Sequence, residues 1–180
     1  MSNSQKGSKG QAAAGNASAG AGGSAPAPSM FDDFSPKSKA AVKAAQELAE
    51  RLSDKSVATG HLIYGVCLDE STCVHHVFKD LNVDPEMFAG YVESLPREAE
   101  VFDGAPFNRH VHTVFERARE TAREFGSKLV TPEHLAIALM SVKAGSCYET
   151  LKEFSIDPEY VQTLILQAMG LDPEMVPEWF

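Results

Sequence analysis

The stretch that decides the fold is VATGHLIYG, residues 57–65, which returns 73 residues later as VTPEHLAIA, residues 130–138. The same offset holds well beyond these nine positions, because residues 34–95 match residues 107–168 without a gap. Most pairs that differ exchange one apolar side chain for another. An internal repeat of this length indicates two copies of one supersecondary unit, and each site can be compared with its own copy.

Each copy is predicted to form four short helices. The first begins after Ser35-Pro36, a capping residue followed by a proline suited to the first helical turn, and the fourth begins after Asp84-Pro85 in the same way. The second is expected from about residue 59 and the third over 71–81, with copies from 131 and over 146–154. No segment alternates with a period of two. We therefore predict an all-α fold in which two four-helix repeats, related by an approximate twofold axis, form one eight-helix bundle.

The predicted regions are a Gly/Ala/Ser tail at 1–29, repeat 1 at 30–95, a linker loop at 96–106, repeat 2 at 107–169 and a C-terminal tail at 170–180. The first tail has no large apolar side chain, so we expect it to be disordered. The linker is acidic and is expected to be exposed and mobile. For Trp179 and Phe180 two interpretations stay open: they fold back onto the bundle, or they form a short docking peptide.

The charge of the chain argues against nucleic acid as a partner. The formal net charge is −9, and the first 30 residues contribute only Lys6 and Lys9, which leaves about −11 for the remainder. Such a surface repels phosphate backbones unless a concentrated basic stripe is present. Arg117, Arg119 and Arg123 approach such a stripe, but glutamates alternate with them along the same helix, as is typical of a solvated helix face.

The sequence predicts neither a membrane span nor a secretory signal, because no uninterrupted apolar run approaches about 20 residues. We therefore expect a cytoplasmic protein, with an organellar stroma as the alternative if the N-terminal tail is a targeting peptide. Cys67, Cys73 and Cys147 are odd in number and form no CxxC pair. We interpret them as reduced thiols partly buried in the core.

The doubled four-helix unit, with residues 57–65 and 130–136 at the starts of its second helices, resembles the N-terminal Clp repeat domain of Clp-type AAA+ unfoldases. The start at residues 30–35, MFDDFS, is similar to that of the ClpC branch. The resemblance covers about residues 30–169. It implies a protein-binding module that recognises client or adaptor proteins, with a Clp unfoldase, protease or adaptor as partner.

The chain lacks the Gly-x-x-x-x-Gly-Lys-Ser/Thr loop that cradles ATP phosphates, so we expect no ATPase activity of its own, no cofactor and no enzyme. A module of this kind would act as an adaptor, a decoy or an accessory regulator. The alternative is a structural assembly factor bound to the protease core or to the motor.

The resemblance also implies a candidate ligand. In some ClpC proteins each repeat binds phosphorylated arginine, with a glutamate at the start of the second helix and a threonine near the start of the first. The glutamate position is Gly60 in repeat 1 and Glu133 in repeat 2, and the threonine position is Ser35 and Asn108. Each pocket therefore lacks one element, and we expect any phosphoarginine to bind weakly, near Glu133 and Asn108. The alternative is that Glu133 only complements its helix dipole.

Two further sets of residues are candidate sites. Phe34, Phe107, Tyr64 and Phe115 are candidates to line a groove between the two halves, where a peptide or adaptor docks, although core packing is the interpretation we favour for Phe34 and Phe107. His61 and His134 recur at helix starts and are predicted to be hydrogen-bonded structural imidazoles. We expect no metal site, because no two histidines have the spacing of zinc ligands.

Overall fold

The computed structural model describes residues 27–97 and 106–175. The helices are α1 (Pro36–Arg51), α2 (Thr59–Cys67), α3 (Cys73–Asp80), α4 (Pro85–Ser94), α5 (Arg109–Glu124), α6 (Pro132–Ser141), α7 (Gly145–Glu153) and α8 (Pro158–Ala168). A single 3₁₀ turn follows at Pro173–Met175. Within these two ranges there are eight helices and no strand, which confirms the all-α prediction. The calls on residues 1–26, on residues 98–105 of the linker and on Trp179 and Phe180 lie outside the described residues.

Side-chain caps begin the helices where the sequence predicts them. Ser35, Asp84, Asn108 and Asp157 are the N-cap residues of the first and fourth helix of each repeat. Each accepts a backbone N–H from two or three residues ahead at 3.0–3.1 Å. A cap of this kind satisfies one of the N–H groups that a helix start leaves free.

The third helix of repeat 1 is shorter than the predicted 71–81. Thr72 is its N-cap, with Oγ1 accepting the N–H of His75 at 3.3 Å, so the helix begins at Cys73. Leu81 closes the other end with a backbone N–H to the carbonyls of Val77 and Phe78. The difference is the ordinary uncertainty of helix ends read from a sequence.

The repeat extends to the way the helices end. Ser53 follows α1 with a φ of 58°, and its copy Gly126 follows α5 with a φ of 67°. Asn82 and its copy Ser155 have φ values of 58° and 57°. All four positions use the left-handed conformation that commonly terminates helices, although only one of them is glycine.

Two short backbone bridges join the repeats crosswise. Phe34 pairs in parallel with Val130, and Val57 pairs in parallel with Phe107. The 73-residue offset converts one bridge into the other, so the bridges obey the approximate twofold relation. The segment before α1 therefore runs beside the segment before α6, and the segment before α5 runs beside the segment before α2.

The two second helices form the centre of the bundle. Every residue of α2 is buried, and eight of the ten residues of α6 are buried. Gly65 allows α1 to approach α2 closely, because a Cβ at this position would lie 2.1 Å from the carbonyl oxygen of Ala41. No helix among the described residues is both long and apolar enough to cross a membrane.

Candidate functional site

Ser35 lies half-buried at the start of α1 and is bonded to the other repeat. Its N–H donates to the carbonyl of Val130 at 2.9 Å. Ser38 Oγ donates to the same carbonyl at 2.8 Å, and Ser35 Oγ donates to Ser38 Oγ at 3.1 Å. These contacts hold the start of α1 beside the residues that lead into α6.

Glu133 lies in the first turn of α6, three residues after Val130, and is half-buried. Its Oε1 is 3.8 Å from Sγ of Cys73, the first residue of α3. Burial, and then the nearby carboxylate, raise the pKa of the Cys73 thiol to about 11, so the thiol stays protonated at neutral pH. We call Ser35, Cys73 and Glu133 the Ser35–Glu133 site.

The Ser35–Glu133 site combines an acid with several helix starts. The N-terminal ends of α1, α3 and α6 converge here, and Lys37 at the start of α1 donates to Ser71 Oγ at 2.7 Å. The carboxylate of Glu133 is the group that pairs with a guanidinium, while helix N-termini favour an anion. The arrangement therefore suits a side chain that carries both a positive and a negative group.

The equivalent positions in the other half are closed. The N–H of Gly60 donates to Ser146 Oγ at 2.8 Å, and the N–H of Cys147 donates to Thr59 Oγ1 at 3.0 Å, so the starts of α2 and α7 cap each other. A Cβ at Gly60 would lie 2.4 Å from Val92 Cγ2. There is no room at this position for a glutamate, so this half has no carboxylate in the place of Glu133.

The structure does not bring Asn108 and Glu133 together, so the expected pairing of these two residues is wrong. Arg117 Nη1 donates to the carbonyl of Ser141 at 2.8 Å, which fixes the antiparallel register of α5 and α6. Asn108 precedes the first of these residues by nine positions and Glu133 precedes the second by eight, so they lie roughly 25 Å apart along the hairpin. Asn108 is instead buried, with its N–H bonded to Val57 at 3.0 Å.

The predicted aromatic groove is also wrong for the phenylalanines. Phe34 is 1% exposed and Phe107 is 2% exposed, and both pack edge-to-face against Phe31 and Phe115 with ring centroids 5.1–5.8 Å apart. They belong to the core, which is the alternative favoured from the sequence. Tyr64 is buried too, and its hydroxyl donates to Glu86 Oε1 at 3.3 Å. No docking surface is formed by these three side chains.

The two repeated histidines are structural, as predicted. Nδ1 of His61 accepts the N–H of Ala58, and Nδ1 of His134 accepts the N–H of Thr131, each at 2.9 Å. An Nδ1 that accepts an N–H carries no proton, so each neutral ring has its proton on Nε2. Within the two described ranges, no group of three or more His, Cys, Asp or Glu side chains is placed to hold a metal ion.

Sequence reasoning missed one polar network. Nε2 of His61 donates to Asp54 Oδ2 at 2.9 Å, and Arg97 donates to the other oxygen of Asp54 and to the carbonyl of Leu52. The sequence signal for this network is a difference between the copies, because Asp54 corresponds to Ser127. The network joins the start of the linker, after α4, to the loop before α2.

The remaining cysteines are unsuited to nucleophilic chemistry. Cys67 and Cys147 are free thiols, each 1% exposed. Burial raises the pKa of Cys147 to about 12, and burial followed by the neighbouring Cys147 raises the pKa of Cys67 well above its usual value. Neither forms a thiolate at neutral pH, which agrees with their prediction as core residues.

Comparison with known proteins supports both repeats. The model of the Clp repeat N-terminal domain matches residues 33–154 and 106–177. Among sequences, the chain is 26% identical over 150 residues to the chloroplastic chaperone protein ClpC2 of Oryza sativa subsp. japonica. The match covers 82% of this chain and 16% of that protein, so the chain spans about one sixth of its relative.

Solved structures share the fold. The N-terminal domain of the chaperone ClpD from Arabidopsis thaliana has a TM-score of 0.68 at 22% identity, covering 79% of this chain and 97% of that one. The Hsp104 N-terminal domain from Candida albicans has a TM-score of 0.63 at 14% identity, covering 78% and 94%. The family match spans well over half of the chain and the fold agrees with it. The chain therefore belongs to the Clp repeat N-terminal domain family.

Proposed function

We propose that the chain is a protein-binding module of a Clp chaperone–protease system, which recognises client or adaptor proteins and has no ATPase of its own. The observation that carries this proposal is the match of the fold to 97% of an isolated Clp N-terminal domain. The absence of a phosphate-binding loop from the 180 residues supports the second part. The buried, protonated thiols of Cys67 and Cys147 argue against a catalytic nucleophile.

The Ser35–Glu133 site is the contact that we propose for a basic client side chain. Glu133 supplies a carboxylate for a guanidinium, and the starts of α1 and α6 supply a favourable field for an attached phosphate. An arginine-phosphorylated client is therefore the finer form of the proposal, with one binding position per chain. The half that contains Gly60 and Asn108 is left out of the proposal, because Gly60 packs against Val92 and Ser146 and Asn108 is buried.

Titration with phosphoarginine tests the site directly. The Glu133→Ala variant should lose binding by about tenfold or more, because the guanidinium would have no carboxylate partner. Glu159→Ala is the matched control, since Glu159 is also a first-turn acid but lies on α8 and pairs with Lys143 at 2.7 Å. Equal affinity of both variants and the unaltered protein would exclude the Ser35–Glu133 site as the binding position.

Capture from a native lysate tests the wider proposal. A module for clients or adaptors should retain client proteins or adaptors of the unfoldase, and Glu133→Ala should reduce that capture. Retention of the proteolytic core instead, unchanged by Glu133→Ala, would favour the alternative of a structural assembly factor. Capture of neither class would contradict both functions.

A further inference from the structure

Two surface grooves occupy equivalent positions in the two repeats. One lies between α5 and the loop before α6 and has a volume of about 250 Å³, and the other lies between α1 and the loop before α2 and has a volume of about 210 Å³. Every residue that lines the first corresponds, through the 73-residue offset, to a residue that lines the second. The duplication has therefore preserved the shape of the groove.

The charge of the groove has not been preserved. In the first groove, Arg119, Arg123 and Lys128 face a single carboxylate, that of Asp33. We call it the basic groove. The glutamates that alternate with the arginines along α5 do not line it, because residues 119 and 123 share one face of the helix.

The equivalent groove, which we call the acidic groove, has the opposite balance. Gln46 and Glu50 replace the two arginines, Asp54 replaces a serine, and Lys55 is its single cation. Two copies of one shape with opposite charge cannot favour the same ligand.

Two cations of the basic groove are available to a ligand. Arg119 is already committed, because its Nε is 2.6 Å from Asp33 Oδ2 and its guanidinium lies 5.2 Å from the ring centroid of Phe34. Arg123 and Lys128 are exposed. The charge of Arg119 balances that of Asp33, so the positive charge that remains in the groove belongs to Arg123 and Lys128.

The groove also has an apolar component. Ala122 and Val130 form a buried part of its wall, and Leu129 is 41% exposed at its edge. An inorganic anion would use the cations but leave this apolar surface uncovered. A peptide with carboxylates and one apolar side chain would use both.

We propose that the basic groove binds an acidic peptide segment of a partner protein, with its carboxylates at Arg123 and Lys128 and an apolar side chain against Leu129. The inference rests on the proposed function, since it gives the chemistry of one partner. It concerns a surface other than the Ser35–Glu133 site. Because the chain as a whole has a net charge of −9, an acidic segment is repelled by most of it and attracted by the positive field of the basic groove.

Fluorescence anisotropy with a labelled eight-residue peptide of Glu and Asp around a central Leu tests the proposal. The double variant Arg123→Glu/Lys128→Glu should weaken binding by about tenfold or more, since two attractions become repulsions. Lys55→Glu is the matched control, because Lys55 is the copy of Lys128 in the acidic groove, and it should change the affinity by less than about twofold. Raising the salt from about 0.05 M to about 0.5 M should weaken binding to the unaltered protein.

Three results would overturn the assignment: no binding by the unaltered protein, equal loss in both variants, or equal binding of a peptide with Gln and Asn in place of the acids. Far-UV circular dichroism checks that the variants are folded, and Lys128→Gln provides a milder change should the double variant unfold. Inorganic phosphate that competes fully at the same concentration as the peptide would reduce the groove to a simple anion site. Lysate capture that persists while the peptide assay fails would overturn the groove alone and leave the proposed function standing.

Discussion

Gly60 donates its backbone N–H to Ser146 Oγ at 2.8 Å, across the boundary between the two repeats. The two residues are 86 positions apart, and each is the copy of a residue in the Ser35–Glu133 site, Glu133 and Cys73 respectively. At one of the two equivalent places a hydrogen bond joins two helix starts, whereas at the other a carboxylate and a thiol lie 3.8 Å apart.

Substitution of Gly60 by alanine should destabilise the fold. The new Cβ would lie 2.4 Å from Val92 Cγ2 and 2.9 Å from Ser146 Oγ, so the loss should be about 1–3 kcal/mol of unfolding free energy, measured by urea denaturation. Gly90→Ala is the control, because Gly90 lies in α4 with nothing within 4 Å of its Cβ position. That variant should gain roughly 0.5–1 kcal/mol. Similar behaviour of the two variants would contradict the close approach at Gly60.

The left-handed residues that follow α1 and α5 predict opposite changes in stability when serine and glycine are exchanged. Ser53 has a φ of 58°, a conformation that costs a residue with a Cβ, and its copy Gly126 has a φ of 67°. Ser53→Gly should raise the free energy of unfolding by roughly 0.5–1 kcal/mol, and Gly126→Ser should lower it by a similar amount. Thermal unfolding of the two variants measures both, and shifts of the same sign would refute the assignment.

The stability of the protein should depend on pH through His134. Burial lowers the pKa of this imidazole, although the neighbouring Glu133 partly opposes the effect. The unfolded chain therefore binds the proton at a higher pH than the folded chain. The stability that the neutral imidazole contributes is fully present above about pH 6.5 and is lost as the pH falls below it.

The test is His134→Gln, which keeps an acceptor for the N–H of Thr131 but does not titrate. Between about pH 7.5 and pH 5 its unfolding free energy should fall less steeply than that of the unaltered protein. Parallel curves for the variant and the unaltered protein would contradict the prediction.

The thiols should differ in reactivity. Cys73 is half-buried with a pKa of about 11, and Cys147 is buried with a pKa of about 12, so alkylation of the folded protein should be slow and should modify Cys73 first. Burial raises the Cys73 pKa most, and the Glu133 carboxylate raises it further, so Glu133→Gln should speed its alkylation by roughly threefold or more. Mass spectrometry at timed intervals gives the rates.

Glu149→Gln serves as the control for this experiment, because Glu149 is an exposed acid on α7 that pairs with Lys152. It should leave the Cys73 rate unaltered. An unchanged rate in Glu133→Gln as well would mean that the 3.8 Å contact has no influence on the thiol.

The starts of the helices could be predicted because the interactions that form them act over only a few residues. A cap such as Ser35 or Asp84 acts within three residues, and the caps fall where the sequence places them. The 73-residue offset shows which positions are copies, but not which copies are neighbours. For that reason the comparison of the copies predicts Asn108 beside Glu133, whereas the bridge between Phe34 and Val130 brings Ser35 to the start of α6.

The candidate site depended on long-range contacts that no spacing reveals. The sequence showed that the acid is missing at Gly60, but the reason lies in Val92 and Ser146, which belong to α4 and α7. The arginines of α5 raised the same difficulty. Their alternation with glutamates is typical of a solvated face, and only the position of Lys128 in the adjacent loop makes them one wall of a groove.

The crosswise bridges have a consequence for how the chain acquires its structure. The N–H of Ser35 donates to the carbonyl of Val130, 95 positions later, and the carbonyl of Val57 accepts the N–H of Asn108. The first repeat to leave a ribosome thus lacks partners for the backbone at the start of α1 until α6 has been synthesised. We therefore expect the two repeats to fold together, and more slowly than bundles of purely local contacts. A half-chain would satisfy these backbone groups only by pairing with the equivalent segment of a second molecule.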